Sequence, residues 1–338
     1  MIIPNKVMSI ESSTKKLLNR PKDTDFFQQR YKAYQPTFKP RFFVPIFVVA
    51  GFIFIPLGLT FLLSSRSIWE INYDYTACVN AKAISCSTIV PESACYCQIT
   101  LKVHKDVDQK VFVYYGLENF YQNHRLYVQS RDFYQLFGYN NPLKDTCEPF
   151  KELNGKPIAP CGAVANSLFN DTIELSGNNV STESLIISRK NIAWNTNRGH
   201  NYQNPQPKND LQAAFKNNEK PPSWKVSVDQ LDPDDIKNNG YENEALIVWM
   251  ETSAFADFRK LYGTIENGLK QGDYTMNISY NFPVVDFGGK KRLVFSTVNF
   301  FGGKNNLIGS TYLIAGVFMI FTGFWLLIVN KNRTSKPL

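Results

Sequence analysis

The sequence predicts a membrane protein of α+β class: two transmembrane helices flanking a large, disulfide-bonded ectodomain built on an antiparallel β-sheet or sandwich. Three observations predict it. Two long uncharged runs lie near the ends of the 338-residue chain, all six cysteines fall between them, and the intervening segment repeats short Val-, Ile-, Tyr- and Phe-rich stretches.

The runs are residues 42–63 (FFVPIFVVAGFIFIPLGLTFLL) and 307–329 (LIGSTYLIAGVFMIFTGFWLLIV). At about 1.5 Å per residue each helix reaches roughly 33–35 Å, enough to cross a hydrocarbon core of about 30 Å. A buried helix of a soluble core rarely runs so far without a charge. A cleaved signal peptide does not fit a run that long after 41 preceding residues. The mean hydropathy of −0.26 hides both runs, because the polar sequence between them dilutes the average. Pro45 and Pro56 predict a bent first helix. Gly51 and Gly58 are seven residues apart, as are Gly309, Gly316 and Gly323, so each set forms a stripe suited to close packing of a partner helix.

Charge predicts the orientation. Residues 1–41 hold nine basic and three acidic residues, and 330–338 hold three basic and no acidic ones. The positive-inside rule places both tails in the cytosol and residues 64–306 on the lumenal or extracellular side. That loop is near neutral, with 25 basic and 26 acidic residues. The formal charge of +8 is therefore an orientation signal, and no nucleic-acid partner is expected. Lys15, Lys16, Arg20 and Lys22 also suit contact with anionic lipid.

Within an oxidising compartment, Cys78, Cys86, Cys95, Cys97, Cys147 and Cys161 read as three disulfides. Cys147 and Cys161 bracket a short loop and are expected to pair, which leaves the other four to pair among themselves. Zinc is the competing reading of Cys95-Tyr96-Cys97, but the spacing is not C-x-x-C and only His104 lies nearby. Asn170, Asn179 and Asn277 begin N-x-[ST] sequons in the loop and are expected to carry glycans, whereas Asn332 lies on the cytosolic side.

Residues 68–76, 96–103, 111–117, 274–284 and 292–300 read as strands, and the first and last adjoin the spans and are placed to pair. Residues 244–266 read as a helix, since Leu246, Trp249, Met250, Ala254, Phe258, Leu261 and Ile265 recur every three or four residues. Residues 203–222 read as a polar loop with one helical turn near 211–216, and two F-G-G-K strings at 287–290 and 301–304 read as turns.

No catalytic constellation emerges. His104, His124 and His200 form no metal-ligand pair, and neither a G-x-S-x-G elbow nor a phosphate loop is present. In the stretch from Asp232 to Gly240, Lys237 stands where a calcium loop needs oxygen. His124 reads as a structural hydrogen-bonding group without a carboxylate or nucleophile partner. Neither span carries an ionisable residue for an ion path. No catalytic residue, cofactor or metal is expected.

The strings YYGLENFYQNHRLYVQSRD (114–132), KPIAPCGAVANSLFNDT (156–172) and FRKLYG (258–263), set in this two-span, six-cysteine plan, closely resemble the cell division control protein 50, or transmembrane protein 30, family. The resemblance runs from DFFQQRYKAYQP (25–36) to STVNFFGGKNNLIG (296–309). It implies a non-catalytic accessory β-subunit of the type IV P-type ATPases, which flip phospholipids between leaflets. The implied partner is the ATPase α-subunit, in a heterodimer whose catalytic residues all lie in that partner. The chain would support folding of the ATPase, its export from the endoplasmic reticulum, and aminophospholipid transport to the cytosolic leaflet. The implied compartments are the endoplasmic reticulum, Golgi or endosomes and plasma membrane. The family pattern also implies bridges Cys78–Cys97, Cys86–Cys95 and Cys147–Cys161, and a glycan on Asn170. Two positions depart from it: seven residues separate Cys78 from Cys86, and Tyr34 stands where a Trp is usual. The alternative from another class is an autonomous receptor or adhesion ectodomain.

Overall fold

Long helices open and close residues 40–334 of the structure, a computed structural model that describes residues 21–32, 40–88, 94–139, 142–177 and 185–334. In chain order the elements are α1 (Pro40–Ser67), β1 (Glu70–Asp74), β2 (Cys95–Val103), β3 (Val111–Glu118), α2 (Arg125–Gln129), α3 (Phe133–Leu136), β4 (Glu152–Leu153) and β5 (Lys156–Pro157). There follow α4 (Ala163–Asn166), β6 (Thr172–Gly177), α5 (Leu211–Phe215), α6 (Glu244–Met250), β7 (Phe258–Ile265), β8 (Gly272–Tyr280), β9 (Lys290–Ser296) and α7 (Asn306–Thr334).

The chain divides into two units, residues 1–54 with 315–338, and residues 55–314. In the first, α1 meets α7 where Gly51 faces Gly316 and Ile320, and where Gly323 faces Val48. In the second, Gly58 faces Gly309 and Leu313. Both helices have the length and apolar composition of membrane spans. The absence of side chains at these glycines lets the backbones approach closely, which is how helices gain dispersion contact where hydrophobicity gives no drive. α1 extends to Ser67 and carries Arg66 in its last turn, where a cation opposes the negative end of the helix dipole.

Seven strands of the second unit form two antiparallel sheets, ordered β1-β9-β3-β7 and β2-β8-β6. β1 follows α1 directly and pairs with β9, Glu70 opposite Ser296, so the strands next to the two helices close the first sheet. Side chains alternate across each strand as the pleat requires. β2 buries Cys95, Cys97, Leu101 and Val103; β3 buries Val111, Val113, Tyr115 and Leu117; β8 buries Tyr274, Met276, Ile278 and Tyr280. These inward faces belong to one hydrophobic core, so the ectodomain is a two-sheet sandwich. Val164 of α4 and Leu246, Trp249 and Met250 of α6 join the same core. Tyr115 stacks on Phe169 at 3.9 Å between ring centroids, and Trp249 lies against Phe120, Phe258 and Phe282.

The 244–266 segment corrects the sequence reading. The helix ends at Met250, and Phe258–Ile265 is a strand paired with β3 from Phe258 opposite Leu117 to Ile265 opposite Val111. Phe258, Leu261 and Ile265 match a helical period, but Phe258, Lys260 and Tyr262 match a pleat as well. The tie is broken by β3, whose unpaired backbone groups a helix would have left unsatisfied. A second departure is β6, an edge strand with no sequence-level prediction, which pairs with β8 from Thr172 opposite Ser279.

Candidate functional site

The three strings behind the family resemblance converge in the sandwich, where several of their polar groups bond to distant parts of the chain. Asp171, at the end of the second string, is buried just before β6. Its Oδ2 accepts from Lys291 Nζ at 2.7 Å and from Tyr75 Oη at 2.9 Å; its Oδ1 accepts from the backbone N–H groups of Asn281 and Phe282 at 2.6 and 2.7 Å. Lys291 also donates to the Phe282 carbonyl at 2.7 Å and lies over the Tyr280 ring. Burial lowers the Lys291 pKa to about 8 against the pull of Asp171. One ion pair thus ties the chain after β1, the start of β6, the end of β8 and β9 together.

FRKLYG has an equally structural explanation. Lys260 is buried under Trp249 and Phe258, and its ammonium donates to the carbonyls of Val248, Trp249 and Glu251, the unsatisfied C-terminal carbonyls of α6. Burial brings its pKa down to about 7, with the Glu251 charge opposing. Arg259 pairs with Glu70 at 3.0 Å, and Tyr262 Oη accepts from the Ile173 N–H at 2.9 Å, a bond from one sheet to the other. At Gly263, a Cβ would come within 2.5 Å of Ile187 Cγ2 and 2.8 Å of the Ser188 carbonyl.

The first and second strings meet at Ser130 and Gly162. Ser130 Oγ accepts from Ala163 N–H at 2.9 Å, and Gly162 sits at φ +95°, where a Cβ would lie 2.0 Å from the Ser130 carbonyl oxygen. Asp132 caps α3 by accepting from Tyr134 and Gln135 N–H, while Gln135 holds Ile158 and Cys161.

The cysteines form Cys78–Cys97, Cys86–Cys95 and Cys147–Cys161. The seven residues between Cys78 and Cys86 fold into a turn of their own. Val79 bridges Ser85, Asn80 Oδ1 accepts from Lys82 and Ile84 N–H, and Cys86 N–H returns to the Cys78 carbonyl at 2.8 Å. The extra length is looped out, and the second disulfide nests inside the first. The sulfurs of Cys78, Cys86 and Cys97 lie within 4.8 Å of one another, and each is bonded in a disulfide.

The other residues singled out in the sequence are placed as follows. Asn170 is half-buried and lines a cavity of about 260 Å³ with Arg189, Trp224, Lys225 and Leu231; its buried Oδ1 has no hydrogen-bond partner. Asn277, on β8, accepts from Gln98 Nε2 at 2.9 Å. Asn179, Lys15, Lys16 and Arg20 lie outside the described residues, and Lys22 is exposed. His124 is exposed and its side chain caps nothing at the start of α2, contrary to the structural bond expected of it. Asp232 accepts from Asp234 and Asp235 N–H and from Asn238 Nδ2, so the acidic stretch closes a turn. The glycines of both stripes face the other helix of the same chain. On α7 the side chains of Phe318, Phe321, Phe324 and Trp325 are exposed.

The family model described as LEM3 (ligand-effect modulator 3) family / CDC50 family matches residues 61–336. Among similar proteins, Cell cycle control protein 50A of Mus musculus is 42% identical over 334 residues, covering 94% of this chain and 91% of that protein. Cell cycle control protein 50B of Homo sapiens is 39% identical over 337 residues, covering 94% and 95%. A plant protein named ALA-interacting subunit 3, from Arabidopsis thaliana, is 39% identical over 332 residues, covering 95% and 90%.

Proposed function

The chain belongs to the LEM3/CDC50 family, and from that premise we propose that it is the non-catalytic accessory (β) subunit of a type IV P-type ATPase that flips phospholipids. The observation that carries the proposal is the match across nearly the whole chain to a relative named as an interacting subunit. The buried ion pair Asp171–Lys291 and the Lys260 ammonium bonded to the α6 carbonyls support it, because the strings that carry the resemblance build a scaffold and leave chemistry to another chain. In this reading both tails are cytosolic, the sandwich is lumenal or extracellular with glycans at its sequons, and the heterodimer forms in the membrane and through the ectodomain. The subunit supports folding and export of the ATPase and aminophospholipid transport to the cytosolic leaflet.

The test is co-purification in mild detergent followed by mass spectrometry, combined with uptake of labelled phosphatidylserine in cells lacking the chain. A type IV P-type ATPase in the eluate and lost uptake are the expected results. An eluate without such an ATPase, together with intact uptake, would overturn the proposal.

A further inference from the structure

Phe300 is 94% exposed, more than any other large apolar side chain among the described residues, and its position is fixed by the loop that carries it. The loop between β9 and α7 is closed by paired backbone bonds between Asn299 and Gly302, with Gly302 at φ +99°. It is fastened to the end of α1 at several points. Asn299 Nδ2 donates to the Ser64 carbonyl at 2.9 Å and to Ser64 Oγ at 2.7 Å, and Asn305 N–H donates to Ser65 Oγ at 2.9 Å. Ser65 Oγ in turn donates to Asn306 Oδ1 at 2.7 Å, at the start of α7.

Those bonds set the depth of the loop. Ser64 is the first residue after the uncharged run of α1, so the loop backbone lies at the level where the apolar span ends. The Phe301 ring packs edge-on against Phe61 at 5.2 Å between centroids, and Phe61 packs on Tyr312 at 5.6 Å. Phe61 is three residues inside the apolar run, about 4.5 Å along the axis from Ser64. Tyr312 is six residues, or about 9 Å, inside α7. Phe301 therefore reaches span depth, and Phe300 stands beside it with centroids 5.2 Å apart. Arg66 and Lys304, both exposed, flank this aromatic group in sequence.

We propose that the 299–304 loop is a membrane-seating element, with Phe300 inserted at the headgroup–acyl boundary of the leaflet next to the ectodomain and Lys304 and Arg66 at the level of the lipid phosphates. Aromatic rings favour that boundary, and basic side chains extend from it to the phosphates. The occupant is lipid because Phe300 adjoins Phe301, whose ring packs on Phe61 inside the apolar run, and because the loop is held to the helix ends by side-chain bonds.

All cysteines among the described residues are in disulfides, so Phe300→Cys in the full chain offers a site for a nitroxide label. The chain would be placed in nanodiscs of phosphatidylcholine and phosphatidylserine, alone and with its co-purified partner. Collision rates with oxygen and with a water-soluble nickel chelate would be compared with those of a label at Ile236→Cys, an apolar residue 83% exposed. The expected oxygen-to-nickel ratio at 300 is several-fold above that at 236 in both preparations. Equal ratios would place the loop in water and overturn the proposal, as would a label shielded from both reagents whenever the partner is bound. If the cysteine variant misfolds, Phe300→Trp gives a second reading. Lipid brominated on its acyl chains should remove more fluorescence from this variant than from the parent chain, and equal quenching would overturn the proposal.

Discussion

Asp171 and Lys291 form an ion pair with Oδ2 and Nζ 2.7 Å apart and both side chains fully buried, 120 residues apart in sequence and joined across the two sheets of the sandwich. Such a pair adds little net stability over a well-packed apolar substitute, but removing one partner strands a buried charge. Lys291→Met should therefore destabilise the protein by about 3–5 kcal/mol. Adding Asp171→Asn should recover part of that loss. Thermal unfolding of the full chain in detergent checks both, and a double variant no more stable than the single one would contradict the argument.

Gly58 and Gly309 approach backbone to backbone. A Cβ on Gly58 would lie 2.9 Å from the Gly309 carbonyl oxygen, and one on Gly309 would lie 3.0 Å from that of Gly58. Gly58→Leu should force the helices apart and lower the melting temperature by several degrees. Phe318→Leu, on the exposed face of α7, should leave it nearly unchanged. Equal melting temperatures for the two variants would show that the close approach is dispensable.

Lys260 makes stability depend on pH. Its folded pKa of about 7 lies below the ordinary lysine value of 10.5, so the unfolded chain holds the proton more tightly. Unfolding between about pH 7 and 10.5 takes up a proton, and stability rises with pH across that window. It is lowest below about pH 7, where the buried amine must be charged. A single group contributes at most about 1.4 kcal/mol per pH unit. Denaturation midpoints from pH 6.5 to 9 should climb for the parent chain and climb less for Lys260→Met.

Gly162→Ala should fail for a reason invisible to composition. The φ of +95° alone costs about 1–3 kcal/mol for a side chain, and the added methyl would meet the Ser130 carbonyl at 2.0 Å. Expression should fall sharply, read by the yield of monodisperse chain. Gly155→Ala, also at positive φ but with open space around the new atom, should be tolerated better.

Removing the Cys147–Cys161 bridge, which spans 14 residues, should cost about 3 kcal/mol. The measurement is thermal unfolding of Cys147→Ala/Cys161→Ala without reductant. A melting temperature equal to that of the parent chain would contradict it.

Much of this architecture is legible from local pattern. The spans are visible because about 20 apolar residues in a row have few other uses. The helical turn near Leu211 and the pairing of the strands next to the spans follow from polarity and adjacency, and both are present. Three groups of residues exceeded what local pattern contains. Trp249, Tyr115 and Phe169 stack together from distant positions. Lys260 looks like a surface charge until the carbonyls of α6 are found around it. Phe300 and Phe301 look like turn residues until Asn299 is bonded to Ser64.

By itself, then, the sequence determined the two long apolar helices, an α+β ectodomain built on an antiparallel sheet or sandwich, and the family, because these rest on periodicity, composition and strings of fixed spacing. The tertiary structure decided which glycines face which, that 258–265 is a strand, and what Asp171 and Lys260 hold. Each of those depends on a partner far along the chain: a backbone edge, a carbonyl or a charge brought near only by folding. Local spacing carries no information about such a partner, and the free energy of satisfying a buried polar group exceeds the local preferences that spacing reports.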